Sequence, residues 1–407
     1  MKIIVQKFGG TSLKDETSRL QAAHHVKMAI EKGNKVVVVV SAIGRKGDPY
    51  ATDTLLNLVG GQKDAFVSKR ELDLLMSCGE LISSITFANL LGSLNLKSIA
   101  MTGAQAGFRT NEDFSEAKII EMKCDDLLNK LNEYDCVVVT GFQGMSTNGE
   151  LTTLGRGGSD TSATAIGAAI GAEWVDIFTD VEGLMTADPR IVSDARAIDT
   201  VTYTEVCNMA YQGAKVIHPR AVEIAMNAKV PLRIRSTFSN LEGTLVTSGT
   251  NRQAGMDVEE RLVTGIAYVS NVSQIKVLAK DGDYKLQSQV FKAMANAGIS
   301  VDFININLMG VVYTVIDENT DRAIAVLQEL GYDPIVTRNC AKVSAIGAGM
   351  AGVPGVTAKI VGSLVDENIS ILQSADSHTT IWVLVKEDEK AKAVNALHRI
   401  FKLDQIY

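Results

Sequence analysis

Apolar runs rich in valine and isoleucine alternate with segments of helical period over residues 1–250 of the chain. A parallel sheet with helices on both faces produces this pattern, because its strands are buried on both sides and each crossover needs a helix. The expected strands are the apolar runs Lys2–Gln6, Val36–Val40, Ser98–Met101, Cys136–Thr140, Val175–Phe178 and Leu232–Ile234. We therefore predict an α/β fold with a mainly parallel sheet, whose ligands bind at the carboxyl ends of the strands.

The pattern changes after a polar, glycine-containing stretch at residues 249–260. We place a domain at residues 1–250 and a linker at 251–263. Beyond the linker the sequence repeats, with Ile299 and Ile369 at equivalent places in two similar stretches. Each copy is predicted to form a strand, a helix, two strands, a helix and a final short strand, the arrangement of ferredoxin-like α+β domains. Two such domains, at 264–336 and 337–407, are typical of modules that bind effectors.

Composition narrows the class of protein. The chain has 407 residues, which is long enough for several domains. Its net charge of −7 gives no excess of positive charge for binding nucleic acid. Its five cysteines are scattered without zinc spacing, which is typical of buried thiols in a reducing compartment. The sequence shows no signal-peptide core and no run near the roughly 20 apolar residues of a membrane span. We expect a cytoplasmic protein with no nucleic-acid or membrane partner.

The first predicted strand leads directly into KFGGTS at residues 7–12, followed by a helical pattern to about Gly33. Paired glycines let backbone N–H groups approach phosphate oxygens, and a helix N-terminus adds partial positive charge. Lys7 is suited to neutralise a transferred phosphoryl group. A simple backbone turn, with Ser12 as a helix N-cap, is the alternative interpretation.

A second candidate is TTLGRGGSD at residues 152–160, between a strand region and a helix. Arg156 offers a planar fork that matches a carboxylate, and Asp160 suits an ammonium group or a magnesium-bound water. A capped turn is the alternative, but such a turn needs neither an arginine nor an aspartate beside two glycines.

A third candidate is the polar stretch FTDVEGLMTADPR at residues 178–190, whose acceptors suit a purine and a ribose. Lys215 follows in YQGAKV and provides the second cation that in-line phosphoryl transfer commonly needs beside magnesium. A solvated surface lysine is the alternative.

Three other patterns are weaker. GAGMAG at residues 347–352 satisfies the dinucleotide fingerprint, but the chain that follows is too short for the rest of such a sheet, and turn glycines of an effector loop explain it better. The P-loop pattern is absent from the sequence. His24, His25 and His218 have no partner at metal spacing, so we predict no metal site built from side chains.

Five motifs occur in the order seen in one enzyme family: KFGGTS at 7–12, SCGE at 77–80, GRGGSD at 155–160, FTDVEGLMTADPR at 178–190 and GAKVIHPRA at 213–221. With them the whole chain resembles aspartate kinase. The resemblance implies an amino-acid-kinase-type sheet for residues 1–250 and paired ACT domains for the ferredoxin-like repeats. The amino-acid sequence near the C-terminus, at 336–349 and 372–385, resembles that of the diaminopimelate-sensitive isozyme of Gram-positive bacteria, aspartokinase I.

The resemblance implies that ATP, with Mg²⁺, phosphorylates the β-carboxylate of L-aspartate, giving 4-phospho-L-aspartate on the way to lysine, threonine and methionine. That carboxylate is already a nucleophile at neutral pH, so positioning and charge neutralisation suffice. The implied catalytic residues are Lys7, Arg156, Asp160 and Lys215. The implied nucleotide-binding residues are Lys7, Phe8, Gly9, Gly10, Ser41, Thr179, Asp180, Met185, Asp188, Arg190 and Lys215. The implied substrate-binding residues are Thr11, Ser12, Thr52, Glu80, Arg156, Gly157, Gly158, Ser159 and Asp160.

In this family the ACT domains bind pathway end products, and ACT pairs commonly assemble across a two-fold axis, which implies a homodimer. We expect an amino-acid effector, with diaminopimelate, lysine and threonine as candidates, at Ser300, Val301, Asp302, Gly352, Val353 and Val356. An acidic group and free backbone amides there suit its ammonium and carboxylate groups.

Two other functions remain open from the sequence. The first is another kinase of the same fold, such as an acetylglutamate, glutamate 5- or uridylate kinase. The second is a catalytically silent amino-acid sensor. The SCGE and GRGGSD motifs with the tandem modules favour aspartate as the substrate, and the presence of Lys7, Arg156 and Asp160 disfavours a silent sensor.

Overall fold

Residues 2–61, 66–214, 216–248, 262–279 and 285–405 are described by the computed structural model. The chain divides into a first unit (Met1–Leu184, Ala197–Tyr211 and Lys215–Asp257) and a second unit (Met185–Arg196, Gln212–Ala214 and Val258–Tyr407). Two short segments that the sequence assigned to the domain at 1–250 therefore group with the second unit. Residues 251–261 of the predicted linker lie outside the described residues, and its position stays a prediction.

The first unit contains the expected alternation of strands and helices. Its strands are β1 (Ile3–Phe8), β2 (Lys35–Val40), β3 (Ser98–Met101), β4 (Phe108–Thr110), β5 (Ile119–Met122), β6 (Cys136–Thr140), β7 (Gln143–Ser146), β8 (Leu151–Thr153), β9 (Val175–Thr179), β10 (Thr200–Thr202), β11 (Leu232–Ser236) and β12 (Thr244–Thr247). Its helices are α1 (Gly10–Leu13), α2 (Glu16–Glu31), α3 (Thr52–Asn57), α4 (Lys69–Ser93), α5 (Asp125–Glu133), α6 (Gly158–Ile170), α7 (Tyr203–Tyr211) and α8 (Pro219–Ala228). All six predicted strands are confirmed.

The main sheet has the strand order β10-β12-β11-β9-β1-β2-β6-β3. Every neighbouring pair is parallel except β11 with β12, which confirms the mainly parallel sheet. A second sheet, β5-β4-β7-β8, was not predicted, because its short strands lack long apolar runs.

Successive side chains of the central strands point to opposite faces of the main sheet, and helices pack on both faces. Val36, Val38 and Val40 pack with the apolar side of α2 and with Phe87 and Leu91 of α4. On the other face α6 contacts β1, β2 and β9. The valine-rich runs form strands because β-branched side chains suit a pleated, buried surface.

The predicted helix after the glycine turn is in fact two helices. The chain leaves α1 at Lys14, and α2 starts anew at Asp15, whose carboxylate accepts a hydrogen bond from the N–H of Ser18 at 2.7 Å. An aspartate N-cap explains the break, because it satisfies N–H groups that the first turn of a helix leaves free.

Helix α4 is long and apolar enough to cross a membrane by length and composition, with a mean hydropathy of 1.5. Its buried residues include Leu72, Phe87 and Leu91 in the core of the first unit, together with the carboxylates Asp73 and Glu80. The core helix of a folded unit passes the same test, so this single helix is weak evidence for a membrane span.

The second unit is built on one antiparallel sheet. Its strands are β13 (Gly265–Leu278), β14 (Asp302–Asn307), β15 (Gly310–Ile316), β16 (Ile335–Ile346), β17 (Gln373–Asp376) and β18 (Thr380–Lys386). Its helices are α9 (Leu286–Asn296), α10 (Thr320–Glu329), α11 (Val356–Asp366) and α12 (Lys390–Ile400), with 3₁₀ turns at Asp317–Asn319 and Glu387–Glu389. The strand order is β14-β15-β13-β16-β18-β17.

The long strands β13 and β16 are shared by two ferredoxin-like modules. Residues 272–278 of β13 pair with β15, whereas Gly265–Val269 pair with the end of β16. The fourth strand of the second module therefore precedes the first module in the chain. The sequence placed that strand after the last helix, but the described chain beyond α12 forms only turns. The tandem division at residue 336 was too simple, because pairing across strands is not visible in a single apolar run.

Candidate active site

The carboxyl ends of β2, β1 and β9 lie side by side in the main sheet. The register aligns Phe8 with Val40 on one side and with Phe178 on the other, so the loops that follow begin at one edge. The N–H of Ser41 donates to the carbonyl oxygen of Phe8 at 3.1 Å. This edge is where a parallel sheet binds its ligands.

The turn after β1 approaches the loop after β2 very closely. A β-carbon on Gly10 would lie 2.3 Å from the carbonyl oxygen of Gly44, so only glycine fits there. The N–H of Gly44 donates to the carbonyl oxygen of Gly10 at 3.0 Å. A β-carbon on Gly9 would lie 3.5 Å from the Nζ of Lys7, which places the ammonium group beside the turn.

Lys7 and Asp160 are brought together by the fold. The Lys7 Nζ lies 2.7 Å from the Asp160 Oδ1, and both side chains are mostly buried. The other oxygen of Asp160 accepts a hydrogen bond from the N–H of His218 at 3.3 Å. Two residues predicted from separate motifs thus form one ion pair at the edge of the sheet.

The N-terminus of α6 lies at the same place, because Asp160 is in its first turn. The N-cap, Gly157, has φ +67°, and a β-carbon there would lie 2.1 Å from the Cγ of His218. Glycine is therefore required for two reasons: the backbone has a left-handed conformation, and there is no room for a β-carbon. Arg156 is exposed and forms no ion pair with any residue in the described ranges, which leaves its guanidinium available to a ligand.

Glu80 is a buried carboxyl group that faces the loop after β2. Its Oε1 accepts a hydrogen bond from the N–H of Ala42 at 3.0 Å, while its buried Oε2 has no partner among the described residues. Burial raises the pKa of Glu80 to about 8, because the charged form loses its hydration. A β-carbon on Gly79 would lie 3.0 Å from the carbonyl oxygen of Tyr50, so α4 packs directly on this loop. Thr52, which begins α3, follows it.

A residue that sequence reasoning missed lies on the loop after β2. Arg45 NH2 is 2.7 Å from the Oδ2 of Asp180, at an exposed position. Thr179 donates a hydrogen bond from its hydroxyl to the other Asp180 oxygen at 3.2 Å. The sequence did contain a signal, because Arg45 stands in a glycine-flanked basic stretch directly after a strand.

Comparisons with known proteins show which family the chain belongs to. Residues 2–236 match the amino acid kinase family, and residues 335–399 match an ACT domain. Aspartokinase 1 of Bacillus subtilis is 63% identical over 405 residues, covering 100% of both chains. The chain belongs to the aspartokinase family. The aspartate kinase resemblance, the kinase function and the fold class are confirmed.

Two solved structures of an aspartokinase share the fold. Aspartokinase III of E. coli in complex with aspartate and ADP, in its R-state, has a TM-score of 0.80 at 27% identity, covering 98% of this chain and 99% of that one. The same enzyme in complex with lysine and aspartate, in its T-state, has a TM-score of 0.78 at the same identity and coverage.

Not every residue expected at the aspartokinase site is accessible. Ser12 is fully buried and its Oγ lies 2.6 Å from the Oγ1 of Thr237, so its hydroxyl cannot contact a substrate as predicted. Nor does Ser12 cap a helix, because Gly9 occupies the N-cap position of α1. Phe8 is also fully buried and stacks on Phe178 at 4.7 Å, which leaves only its backbone for a nucleotide. Thr11, at the glycine turn, is half-buried.

Three residues predicted for the nucleotide belong to the second unit: Met185, Asp188 and Arg190. Asp188 and Arg190 form an ion pair at 2.7 Å, which lowers the pKa of Asp188 to about 2. Tyr268 donates a hydrogen bond to the same carboxylate at 2.8 Å. Lys215 lies outside the described residues, so its role stays a prediction.

The residues predicted for an effector differ in exposure. Ser300 and Asp302 are exposed and Val301 is half-buried, with Asp302 forming an ion pair with the buried Lys342. Gly352 and Val353 are exposed in the loop before α11.

Val356 is the exception among the residues predicted for the effector. Its side chain is buried in the aliphatic core of the second module, so only its backbone is left for a ligand.

Within the described ranges, no group of three or more histidine, cysteine, aspartate or glutamate side chains is placed to hold a metal ion. Magnesium usually retains several waters and binds through one or two carboxylates together with nucleotide phosphates. The single carboxylate of Asp160 beside Lys7 fits a magnesium ion that arrives with a nucleotide, and does not fit a permanent metal cage.

Proposed function

We propose that this aspartokinase transfers the γ-phosphoryl group of ATP to the β-carboxylate of L-aspartate, giving 4-phospho-L-aspartate. The observation that carries the proposal is the 2.7 Å pair of Lys7 and Asp160 between the glycine turn and the N-terminus of α6. Such a place offers a cation, backbone amides and a helix dipole to phosphate oxygens. The E. coli relative crystallised with aspartate and ADP supports the same pair of ligands here.

The phosphates would bind at the turn after β1. Gly9 and Gly10 would contact them through backbone N–H groups, and Lys7 would neutralise charge that develops on the transferred group. Ser41 and Thr179 lie at the ends of the flanking strands, where they would assist. Asp160 would help to hold the magnesium ion that arrives with the nucleotide, and that ion would supply positive charge to the phosphates.

L-Aspartate would bind between the loop before α6 and helix α4. Arg156, exposed and without an ion-pair partner among the described residues, would hold a carboxylate in its fork. Glu80 would receive the ammonium group on its unpartnered Oε2, which would compensate the cost of burying this carboxyl group. The amides of Gly157 and Gly158 and the hydroxyls of Thr52 and Ser159 would complete the site. No general base is required, since the β-carboxylate is the nucleophile.

The second unit would regulate this reaction by binding an amino acid. Asp302 and the loop at residues 352–356 present a carboxylate and backbone amides, which suit an ammonium and a carboxylate group. The E. coli relative crystallised with lysine supports an amino-acid effector. The resemblance to the diaminopimelate-sensitive isozyme makes meso-diaminopimelate the first effector to test. We further propose that the protein is a cytoplasmic homodimer.

The test is ATP-dependent formation of acyl phosphate, trapped with hydroxylamine, in the presence of magnesium. L-Aspartate is compared with L-glutamate and N-acetyl-L-glutamate, and each reaction is repeated with meso-diaminopimelate, lysine or threonine. We expect turnover with aspartate alone, suppressed by one of the three amino acids. Preference for glutamate or acetylglutamate would replace the substrate, and folded protein without any turnover would favour a silent sensor.

Arg156→Lys sharpens the test, because it keeps the charge and removes the planar fork. We expect the KM for aspartate to rise about tenfold while the KM for ATP changes little. An equal rise in both constants would contradict the assignment of Arg156 to the amino-acid substrate.

A further inference from the structure

Thr237 follows strand β11 and bonds to three separate segments of the first unit. Its N–H donates to the carbonyl oxygen of Thr179 at 2.9 Å, and its hydroxyl lies 2.6 Å from the hydroxyl of Ser12. Its carbonyl oxygen lies 3.0 Å from the Nε2 of His25 and can only accept, so the histidine carries its proton on that nitrogen. All the polar groups of this side chain and backbone are therefore used within the protein.

The first two of these segments bear on the active site. Ser12 lies in α1, which starts directly after the glycine turn, and Thr179 ends β9 just before Asp180. Helix α1 continues from strand β1, which carries Lys7, and β9 is the neighbour of β1 in the main sheet. Thr237 thus joins the helix after the glycine turn to the carboxyl end of the strand beside β1.

Helix α1 needs such a connection. It has only four residues, and its N-cap, Gly9, makes no side-chain hydrogen bond. A helix this short is not stable by itself, so its position depends on tertiary contacts. The hydroxyl pair of Ser12 and Thr237 is a buried polar contact of this kind.

The surroundings keep this network dry. Ser12 and Thr237 are fully buried, and the ring of His25 lies 4.5 Å from that of Phe178. Burial lowers the pKa of His25, which keeps the ring neutral, as its hydrogen bond to a carbonyl requires. Without competing water a hydrogen bond is stronger and its geometry better defined.

We propose that Thr237 is a positioning residue for phosphoryl transfer, which acts through Ser12 and Thr179 to fix the glycine turn against the loop after β9. It does not contact a ligand, because its side chain is fully buried. The inference rests on the proposed kinase reaction and adds a residue that none of the predicted motifs contains. It also gives Ser12, which is excluded as a substrate ligand, a function in the site.

The experiment compares Thr237→Val, Thr237→Ser, Ser12→Ala and the double variant Ser12→Ala/Thr237→Val. Thr110→Val is the matched control, because Thr110 and Thr152 form a fully buried hydroxyl pair at the same distance of 2.6 Å in the four-stranded sheet. For each protein, kcat, both KM values, the melting temperature and the affinity for ADP by calorimetry are measured.

We expect Thr237→Val and Ser12→Ala each to lower kcat about tenfold, since small misplacement of reacting groups is costly. The double variant should be no worse than either single one, because both remove the same hydrogen bond. Thr237→Ser, which keeps the hydroxyl, should stay within about twofold of the parent protein. Thr110→Val should lower the melting temperature about as much as Thr237→Val does, but its kcat should be the same as that of the parent protein.

A purely structural role would give different results. Equal losses of kcat in Thr110→Val and Thr237→Val, or a Thr237→Ser variant as impaired as Thr237→Val, would overturn the proposal. Affinity for ADP separates this outcome from a wrong substrate, because it does not depend on the acceptor. If the parent protein does not phosphorylate aspartate, weaker ADP binding by Thr237→Val than by Thr110→Val still supports the positioning role, and equal binding refutes it.

Discussion

The two units differ in what they bury. Among its described residues, the first unit buries five carboxyl groups, at Asp73, Glu80, Asp160, Asp176 and Glu205. In the part of the second unit that the structure describes, no aspartate or glutamate is buried, and the interior of each module is a hydrophobic cluster. Since a buried charge is costly unless it is well paired, each carboxylate in the first unit needs a specific set of partners.

Asp73 shows what such partners achieve. Its two oxygens accept four hydrogen bonds, from the N–H and hydroxyl groups of Ser115 and Thr153, at 2.8 to 3.0 Å. Thr153 ends β8 just before the loop that carries Arg156, and Asp73 lies on the same helix as Glu80. The network therefore fixes the two proposed ends of the substrate site relative to each other.

In the second unit the polar groups proposed for an effector lie at the surface. Asp302 is exposed at the edge strand β14, and its ion-pair partner Lys342 is the buried lysine of the sheet. The difference teaches that the first unit uses buried carboxyl groups for rigid geometry, whereas the described part of the second unit has an apolar interior and leaves its carboxyl groups at least partly exposed.

Among the substitutions predicted here, Lys7→Met should have the largest effect, and it should impair the reaction of the first unit without impairing the second unit. Loss of the cation at the phosphate site is expected to lower kcat about a thousandfold, because charge stabilisation is the main catalytic contribution in phosphoryl transfer. Effector binding, measured by calorimetry, should be unchanged, since the proposed effector site lies in the second unit. Steady-state hydroxamate kinetics on protein shown to be folded by circular dichroism is the measurement.

Lys14→Met is the control for that variant, because Lys14 is exposed near the same turn and pairs with Asp15 only at 3.8 Å. Its kcat should remain within about twofold. A similar loss in both variants would show that net charge near the turn, and not the position of Lys7, determines the rate.

The next largest effect is expected at the turn between β14 and β15. Leu308 and Met309 are 93% and 73% exposed there and follow the exposed Ile304 and Ile306 of β14, and such a run of exposed apolar side chains is typical of an interaction site. Leu308→Asp/Met309→Asp should raise the dissociation constant of the proposed dimer about a hundredfold. Sedimentation velocity over a range of concentrations measures this constant.

Leu58→Asp provides the comparison in the first unit, where Leu58 is 74% exposed. The dimer should be unaffected by this change. Dissociation caused equally by both substitutions would contradict an interface located in the second unit.

Much of this arrangement was predictable from the sequence, and the reason is local. Val36–Val40 is a continuous run of β-branched residues, which favours a strand, and the glycines at 9, 10, 157 and 158 mark turns that other parts of the chain approach closely. What could not be predicted depends on distant partners. Ser12 meets Thr237 only in the folded chain, and the pairing of Gly265–Val269 with the end of β16 leaves no mark in either run of residues. The buried environment of Glu80, which raises its pKa, is likewise a property of packing.

Asp302→Asn should have a smaller effect, and it should weaken inhibition by the effector that we propose for the second unit. Removal of the charge that would bind an effector's ammonium group is expected to raise the half-inhibiting concentration about tenfold, with basal kcat unchanged. The measurement is inhibition of hydroxamate formation over a range of effector concentrations. Asp376→Asn, at an exposed position on β17 of the other module, should leave inhibition as it was. Equal shifts in both would argue for a general effect of surface charge.

The last expected effect is a dependence on pH that arises from Glu80 in the first unit. Because the pKa of Glu80 is raised from 4.5 to about 8, the folded protein binds this proton more tightly than the unfolded chain does. The ligand-free protein should therefore lose stability, relative to Glu80→Gln, as the pH rises from about 5 to about 8. Denaturant unfolding at several pH values tests this, and parallel profiles for the two proteins would contradict it.

The same proton affects substrate binding in the opposite direction. An ammonium group binds the ionised form of Glu80, so the KM for aspartate should fall severalfold as the pH rises from about 7 to about 8. The KM for ATP, measured alongside, should stay level.

The position of Gly265–Val269 has a consequence for how the chain is made. These residues leave the ribosome before the first module, but their partners in β16 are synthesised only after that module is complete. The first module can therefore close during translation as an insertion, while the strand ahead of it waits as an unpaired edge that is open to wrong partners. A gene fragment that begins at residue 337 encodes a second module without its fourth strand. Any fragment meant to fold as the regulatory part must include residues 265–269, together with the whole of the first module.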